Sequence, residues 1–248
     1  MGAMHPPQTR GHAPARAPET AAAVPAPIHD AWLVIPLYNE GSVIGDVVRD
    51  ALPTFPHIVC VDDGSSDDSI EQARAAGAVV LRHAVNLGQG AALQTGIEYA
   101  REQPSATYLV TFDADGQHQV SDAVAMVELA RSEDVAIVFG SRFLDERTKP
   151  GLIKRIVLRA AVWFTNATTG LKLSDAHNGL RVLRRDAALA VDMKQDRMAH
   201  ASEIVDQLAK SGLPWREAPV HVLYTDYSRG KGQSVWNSVN ILVDLIFK

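Results

Sequence analysis

Three segments of the chain carry carboxylates directly after short runs rich in valine and isoleucine: Val34-Ile35-Pro36-Leu37-Tyr38-Asn39-Glu40, Val61-Asp62-Asp63-Gly64-Ser65-Ser66-Asp67-Asp68 and Phe112-Asp113-Ala114-Asp115-Gly116-Gln117-His118. Carboxylates brought together repel and raise one another's pKa unless a cation or hydrogen-bond donors offset them. An Asp-X-Asp pair followed by a glycine turn, as at Asp113, Asp115 and Gly116, can offer oxygens to a hard divalent ion. Mg²⁺ or Mn²⁺ held this way keeps waters and takes substrate phosphates as further ligands. Each segment alone has a plainer reading: Asp-Gly is a common turn, and Ser65 or Ser66 suits a helix N-cap. A fourth segment, Asn86-Leu87-Gly88-Gln89-Gly90, has glycines that permit close backbone approach ahead of a helix start, where an anion is favoured. It lacks the Lys-Ser/Thr of a P-loop and the spacing of a dinucleotide fingerprint, so loop geometry and phosphate contact both stand open.

The elements that must position these residues follow from hydrophobic spacing. Trp32–Ile35, Ile58–Val61, Val79–Leu81, Tyr108–Phe112 and Ala136–Phe139 read as strands, with helical spacing between them over Ser42–Leu52, Ser66–Ala76, Gly90–Arg101 and Ser121–Arg131. Strand–helix alternation with continuous apolar strands predicts a parallel sheet buried on both faces, whose ligands bind beyond the carboxyl ends of its strands. Past Gly140 the rhythm changes. Ile153, Ile156, Val157, Ala160, Phe164 and Ala167 mark one apolar helix face, with Lys154, Arg155 and Arg159 off it. Leu180–Leu183 reads as a strand, Ser202–Lys210 as a helix, Val220–Tyr224 as a strand and Trp236–Phe247 as a final apolar helix. Residues 1–30 hold six of the 13 prolines and no apolar periodicity, and read as a disordered tail.

Composition limits the function classes. The net charge is −5, which argues against a nucleic-acid partner. That figure divides sharply: residues 31–141 hold 5 basic and 16 acidic groups, whereas residues 142–248 hold 17 basic and 11 acidic groups. The division suits a metal on one side and phosphates or a membrane surface on the other. The single cysteine, Cys60, excludes an intrachain disulfide and a cysteine-rich zinc site, and fits a reducing compartment. No run reaches the roughly 18–20 apolar residues of a membrane span, and no signal-like apolar segment opens the chain.

Together these segments, with Gly140-Ser141-Arg142-Phe143 and Asp175-Ala176-His177-Asn178-Gly179-Leu180-Arg181, resemble the family 2 glycosyltransferases of the GT-A fold. The nearest likeness is to the branch of dolichyl-phosphate mannose synthases and bacterial polyprenyl-phosphate glycosyltransferases. The resemblance implies a single Rossmann-like α/β domain with a mainly parallel central sheet flanked by helices, plus C-terminal amphipathic helices. It implies a nucleotide-sugar and metal-binding half over 31–141 and an acceptor-binding half over 142–248. Pro36, Tyr38 and Glu40 would line the nucleotide pocket, Asp62 would meet base or ribose, and Asp63 would support it. Asn86, Gly88 and Gly90 would lie by the donor, with Ala114. Asp113 and Asp115 would hold Mg²⁺ or Mn²⁺, with Gln117 a further metal or diphosphate contact. Arg142 would face a phosphate, and Asp175 and Arg181 would lie on the acceptor side. No Gln-X-X-Arg-Trp motif of processive polysaccharide synthases occurs, so a cellulose- or chitin-synthase-like activity is not expected.

The expected reaction is inverting transfer of a sugar from a nucleotide diphosphate sugar, by resemblance a UDP-sugar, to a polyprenyl phosphate. An anionic acceptor needs no strong base, and Arg142, Arg229 and Lys231 could hold the phosphates. The alternative acceptor is a glycan or other hydroxyl, which requires a group to take its proton. Glu203, Asp175 and His200 are the candidates, with His200 read in the first place as a loop histidine. Residues 142–159 carry a net +4, and the apolar segment Trp236–Phe247 is too short to span a bilayer. That segment packs in a core, joins a homodimer or lies in a membrane interface. The expected location is cytoplasmic, peripheral on the inner face of the membrane.

Overall fold

The computed structural model describes residues 26–145, 152–176, 178–194 and 199–223. A seven-stranded sheet runs through its centre in the order β3-β2-β1-β4-β6-β5-β7. The strands are β1 (Ala31–Leu37), β2 (His57–Asp62), β3 (Val79–Arg82), β4 (Tyr108–Thr111), β5 (Ile137–Ser141), β6 (Arg181–Arg184) and β7 (Trp215–Pro219). The helices are α1 (Gly41–Ala51), α2 (Ser69–Ala75), α3 (Gln89–Arg101), α4 (Val120–Ser132), α5 (Leu152–Thr169), α6 (Arg185–Leu189) and α7 (Ala199–Lys210).

Strand β1 shows why this sequence builds a two-sided sheet. Successive side chains point to opposite faces. Leu33, Ile35 and Leu37 enter one core with Ile44 and Val48 of α1, while Trp32 and Val34 enter the other with Leu93 and Ile97 of α3. Both sets must be apolar, which produces a continuous hydrophobic run rather than alternation. The chain begins at the centre, lays β2 and β3 to one side, then returns to lay β4 on the other. The β1/β4 boundary is therefore a topological switch point, where the outgoing loops diverge and leave a crevice.

Strand β6 alone runs against its neighbours, antiparallel to both β4 and β5. Its entry, not its exit, therefore lies at the rim where β4 ends: Arg181 pairs with Thr111. This reversal carries the segment before β6 to the crevice. It also places a strand of the basic half between two strands of the acidic half, so the halves share one sheet.

Three expectations change. The last described strand is Trp215–Pro219 rather than Val220–Tyr224. As an edge strand parallel to β5 it buries only Ala218 fully, so its sequence is polar, and Pro219 ends it where no ladder donor is needed. The order of the chain starts before Ala31: Ile28 is in the core and its N–H donates to the Thr54 carbonyl at 2.7 Å. Over 162–169 the buried face of α5 is turned from the one that spacing predicted; the side chains of Ile153, Ile156 and Val157 lie outside the described residues. Val162 and Thr165 are buried, whereas Ala160, Phe164 and Ala167 are exposed beside Trp163, which is 72% exposed.

Candidate active site

The crevice at the switch point is a cavity of about 470 Å³, within the range of small-molecule sites. Its first wall is the β1 exit, with Pro36, Tyr38 and Glu40. The β2–α2 loop fastens that exit. The backbone N–H groups of Asn39, Glu40 and Gly41 donate to Ser65 Oγ, Ser69 Oγ and Asp67 Oδ2 at 2.8, 2.8 and 3.0 Å. In return Ser66 N–H donates to Asn39 Oδ1 at 2.9 Å. Asn39 sits at φ 52, a conformation its short polar side chain tolerates. The serines thus brace a neighbouring loop: α2 starts after Asp68 and has no side-chain cap.

Asp63 builds the second wall. Its Oδ1 accepts from Leu87 N–H and pairs with His83 Nδ1, both at 2.8 Å, and its Oδ2 accepts from Gly88 N–H at 2.8 Å. Gly88 at φ 98 lets the chain turn sharply into α3. Asn86, Gly88 and Gln89 therefore face the cavity, while Gly90 is buried and does not. The Asp62–Asp63 pair divides differently from the expectation. Asp62 is fully buried and accepts from Ser65 N–H, and it is Asp63 that reaches the cavity.

The third wall is the β4 exit with Asp113, Ala114 and Asp115. The two carboxylates have different surroundings. Burial raises the Asp113 pKa, but His118, donating at 2.9 Å, and the charges of Arg181 and His200 more than offset it and hold Asp113 below its usual range. Burial and the adjacent Asp113 charge push Asp115 up to about 6, against a single backbone donor from Gln117. Two carboxylates with mutual repulsion and only these donors suit a Mg²⁺- or Mn²⁺-sized cation that takes its remaining ligands from water and phosphate. Among the described residues no group of three or more His, Cys, Asp or Glu forms a complete metal cage. Gln117 is buried outside the cavity lining, and its Nε2 has no hydrogen-bond partner among the described residues.

The fourth wall comes from the second half. Arg181 lines the cavity, and burial lowers its pKa to about 10 while the Asp113 and Asp175 charges oppose that fall. Arg142, expected to face a phosphate, is instead held in a buried pair. Its Nε and Nη2 donate to the two Asp175 oxygens at 2.6 and 2.9 Å. Asp175 is in turn positioned by Glu217 of β7, whose Oε1 accepts from the N–H of Ser174 at 2.8 Å and of Asp175 at 3.3 Å. Neither Arg142 nor Asp175 lines the cavity. Glu203 faces away and accepts from Lys194 N–H at 3.1 Å. The histidine one turn earlier, His200, lines the cavity wall and is 7% exposed. His118, Gly179 and Glu217 are given no site role by the sequence, whereas His200 is a candidate base read first as a loop histidine. His118 and Gly179 lie inside motifs already noted, and His200 was discounted because nothing in its own segment shows that α7 packs on α3 and α5 beside the cavity. Arg229, Lys231 and Trp236–Phe247 lie outside the described residues.

Residues 32–190 match the family model for glycosyl transferase family 2, and the chain belongs to that family and is a glycosyltransferase. An uncharacterized protein of Methanocaldococcus jannaschii is 35% identical over 222 residues, covering 88% of this chain and 91% of its own. UDP-N-acetylglucosamine–dolichyl-phosphate N-acetylglucosaminyltransferase of Methanococcus voltae is 28% identical, covering 87% and 94%. Among solved structures, glucosyl-3-phosphoglycerate synthase of Mycobacterium tuberculosis with Mn²⁺, UDP and phosphoglyceric acid superposes with a TM-score of 0.62 at 17% identity, over 88% of this chain and 78% of that one. The fold is therefore GT-A.

Proposed function

We propose that this glycosyltransferase moves a sugar from a UDP-sugar to a polyprenyl phosphate, with inversion, using Mg²⁺ or Mn²⁺ held by Asp113 and Asp115. The observation that carries the reading is that the β1 exit, the Asp63-braced loop and the two aspartates face one cavity at the switch point. The acceptor follows the Methanococcus voltae relative, whose name gives a dolichyl phosphate acceptor and a UDP-linked donor. A dodecaprenyl-phosphate galacturonate synthase of Rhizobium johnstonii, 31% identical over 61% of this chain and 47% of its own, points the same way.

In this reading the braced β1 exit and the Asn86–Gln89 loop receive the nucleotide. A cation held by Asp113 and Asp115 would supply positive charge to the departing diphosphate. Arg181 supplies a fixed, buried positive charge beside the aspartates. The acceptor oxygen bonds to the sugar C1 as the bond from C1 to the diphosphate breaks, inverting that carbon. A phosphate acceptor arrives already anionic, so no side chain has to remove a proton. A hydroxyl acceptor is the second reading, favoured by His200 in the cavity wall, the only histidine among the described cavity-lining residues.

The enzyme is proposed to work at a membrane surface. No helix among the described residues is long and apolar enough to cross a membrane. The exposed Trp163 and Phe164 of α5 supply apolar surface suited to the interface. The direct test is a donor screen that follows nucleotide release with undecaprenyl phosphate and Mg²⁺ or Mn²⁺. Release from one UDP-sugar that depends on the lipid phosphate is the expected result. Release with hydroxyl acceptors alone would move the assignment to the second reading.

A further inference from the structure

Asp113 is confined by two groups outside the Asp-X-Asp pair. His118, with a side chain only 4% exposed, places Nε2 at 2.9 Å from Asp113 Oδ2. An ionised carboxylate only accepts, so at this contact Nε2 carries the hydrogen. That assignment leaves Nδ1 buried with no partner among the described residues. A buried nitrogen without a partner opposes folding, and its retention marks a position held for another purpose. The ring also meets Phe112 edge-to-face at 5.5 Å, which fixes its plane.

Gly179 packs against the same carboxylate. A Cβ built there would fall 2.4 Å from Asp113 Oδ2 and 2.8 Å from Oδ1, so only glycine lets the chain pass this close. The passage is locked in place. Thr111 Oγ1 donates to the Gly179 carbonyl at 2.5 Å, Asn178 Oδ1 accepts from Leu180 N–H at 2.8 Å, and Gly140 N–H donates to the Leu180 carbonyl at 3.0 Å. Asp113 Oδ1 accepts no hydrogen bond from the described residues, so one oxygen is tied and the other faces its task.

We propose that His118 and Gly179 form a positioning clamp that fixes the Asp113 carboxylate with Oδ1 presented to a divalent cation. The clamp rests on the reading that Asp113 and Asp115 hold that ion. Its two jaws come from distant parts of the chain: His118 follows β4, and Gly179 precedes the reversed strand β6. Partners of this kind orient the ligands they touch, and their loss weakens metal affinity by about 10–100-fold. His118 lies outside the cavity lining, and both residues act here through Asp113.

The test is Mn²⁺ binding with UDP present, read from the free-ion paramagnetic resonance signal, with thermal melting and metal-free UDP affinity measured alongside. His118→Phe keeps the ring and removes the donor; His118→Gln returns a donor at a similar reach; Gly179→Ala drives a methyl into the carboxylate. Wild type binds Mn²⁺. His118→Phe and Gly179→Ala weaken that binding about tenfold or more, with metal-free UDP affinity unchanged in His118→Phe, whose residue lies outside the cavity lining. His118→Gln recovers most of the loss. Wild-type Mn²⁺ affinity in both His118→Phe and Gly179→Ala would overturn the clamp and leave the metal reading standing. Absence of Mn²⁺ binding in the wild type would overturn both. If His118→Phe does not melt cooperatively, Gly179→Ala decides.

Discussion

At the residue scale, the site separates groups that face the cavity from groups that hold them there. Arg142 belongs to the second kind. Its bidentate pair with Asp175 is buried, the two side chains being 11% and 0% exposed. Arg142→Met takes two charge-assisted hydrogen bonds from the buried Asp175 carboxylate and should destabilise the fold by about 3–5 kcal/mol. Urea unfolding of the two proteins measures it; an unchanged midpoint would place Arg142 in substrate contact instead. The sequence motifs revealed the residue types at the rim but not this division of labour. Asp62 and Asp63 are adjacent and chemically identical, yet only the second reaches the cavity, because strand alternation points them to different neighbours. His200 has no motif around it, and its place depends on the packing of α7 against distant elements.

At the element scale, the first five strands and first four helices were legible because β1, β2, β4 and β5 are buried on both sheet faces and β3, though an exposed edge strand, keeps the run Val79-Val80-Leu81. The β7 edge strand was not, since one-sided contact asks little of its composition. The α5 face was misplaced for a related reason: the helix has apolar residues on both sides, and spacing alone cannot choose between them. The reversed direction of β6 leaves no mark in its own four residues. Strand β2 offers a measurable consequence of deep burial. Cys60 is fully buried, and desolvation pushes its thiol from 9.0 up to about 12. The folded state therefore keeps this proton where the unfolded chain releases it, so stability is lost as pH rises from about 9 towards 12, at up to about 1.4 kcal/mol per pH unit. Denaturation at pH 8 and pH 10.5 should show a shallower alkaline loss in Cys60→Ala than in wild type. Equal slopes in the two proteins would show that Cys60 titrates normally.

At the scale of the whole molecule, the charge division of the sequence takes a concrete form. Part of the acidity of residues 31–141 organises loops: Asp62, Asp63 and Asp67 each accept backbone N–H groups, and the proposed cation falls to Asp113 and Asp115 at the cavity. The basic half contributes Arg181 to the cavity and an exposed aromatic face on α5. The intact chain should therefore co-sediment with anionic vesicles at low salt, and Trp163→Ser should lower the bound fraction several-fold. Equal binding by both proteins would remove α5 from the membrane contact. The central claim is that Asp113 and Asp115 hold the cation for sugar transfer to a lipid phosphate. It is tested most directly by following labelled sugar from the UDP-sugar chosen in the donor screen into the organic phase, with undecaprenyl phosphate and Mn²⁺, for wild type and Asp115→Asn. The account predicts lipid-soluble label with the wild type, none after chelation, and none with a folded Asp115→Asn protein. Undiminished transfer by Asp115→Asn, or by the chelated wild type, would contradict it.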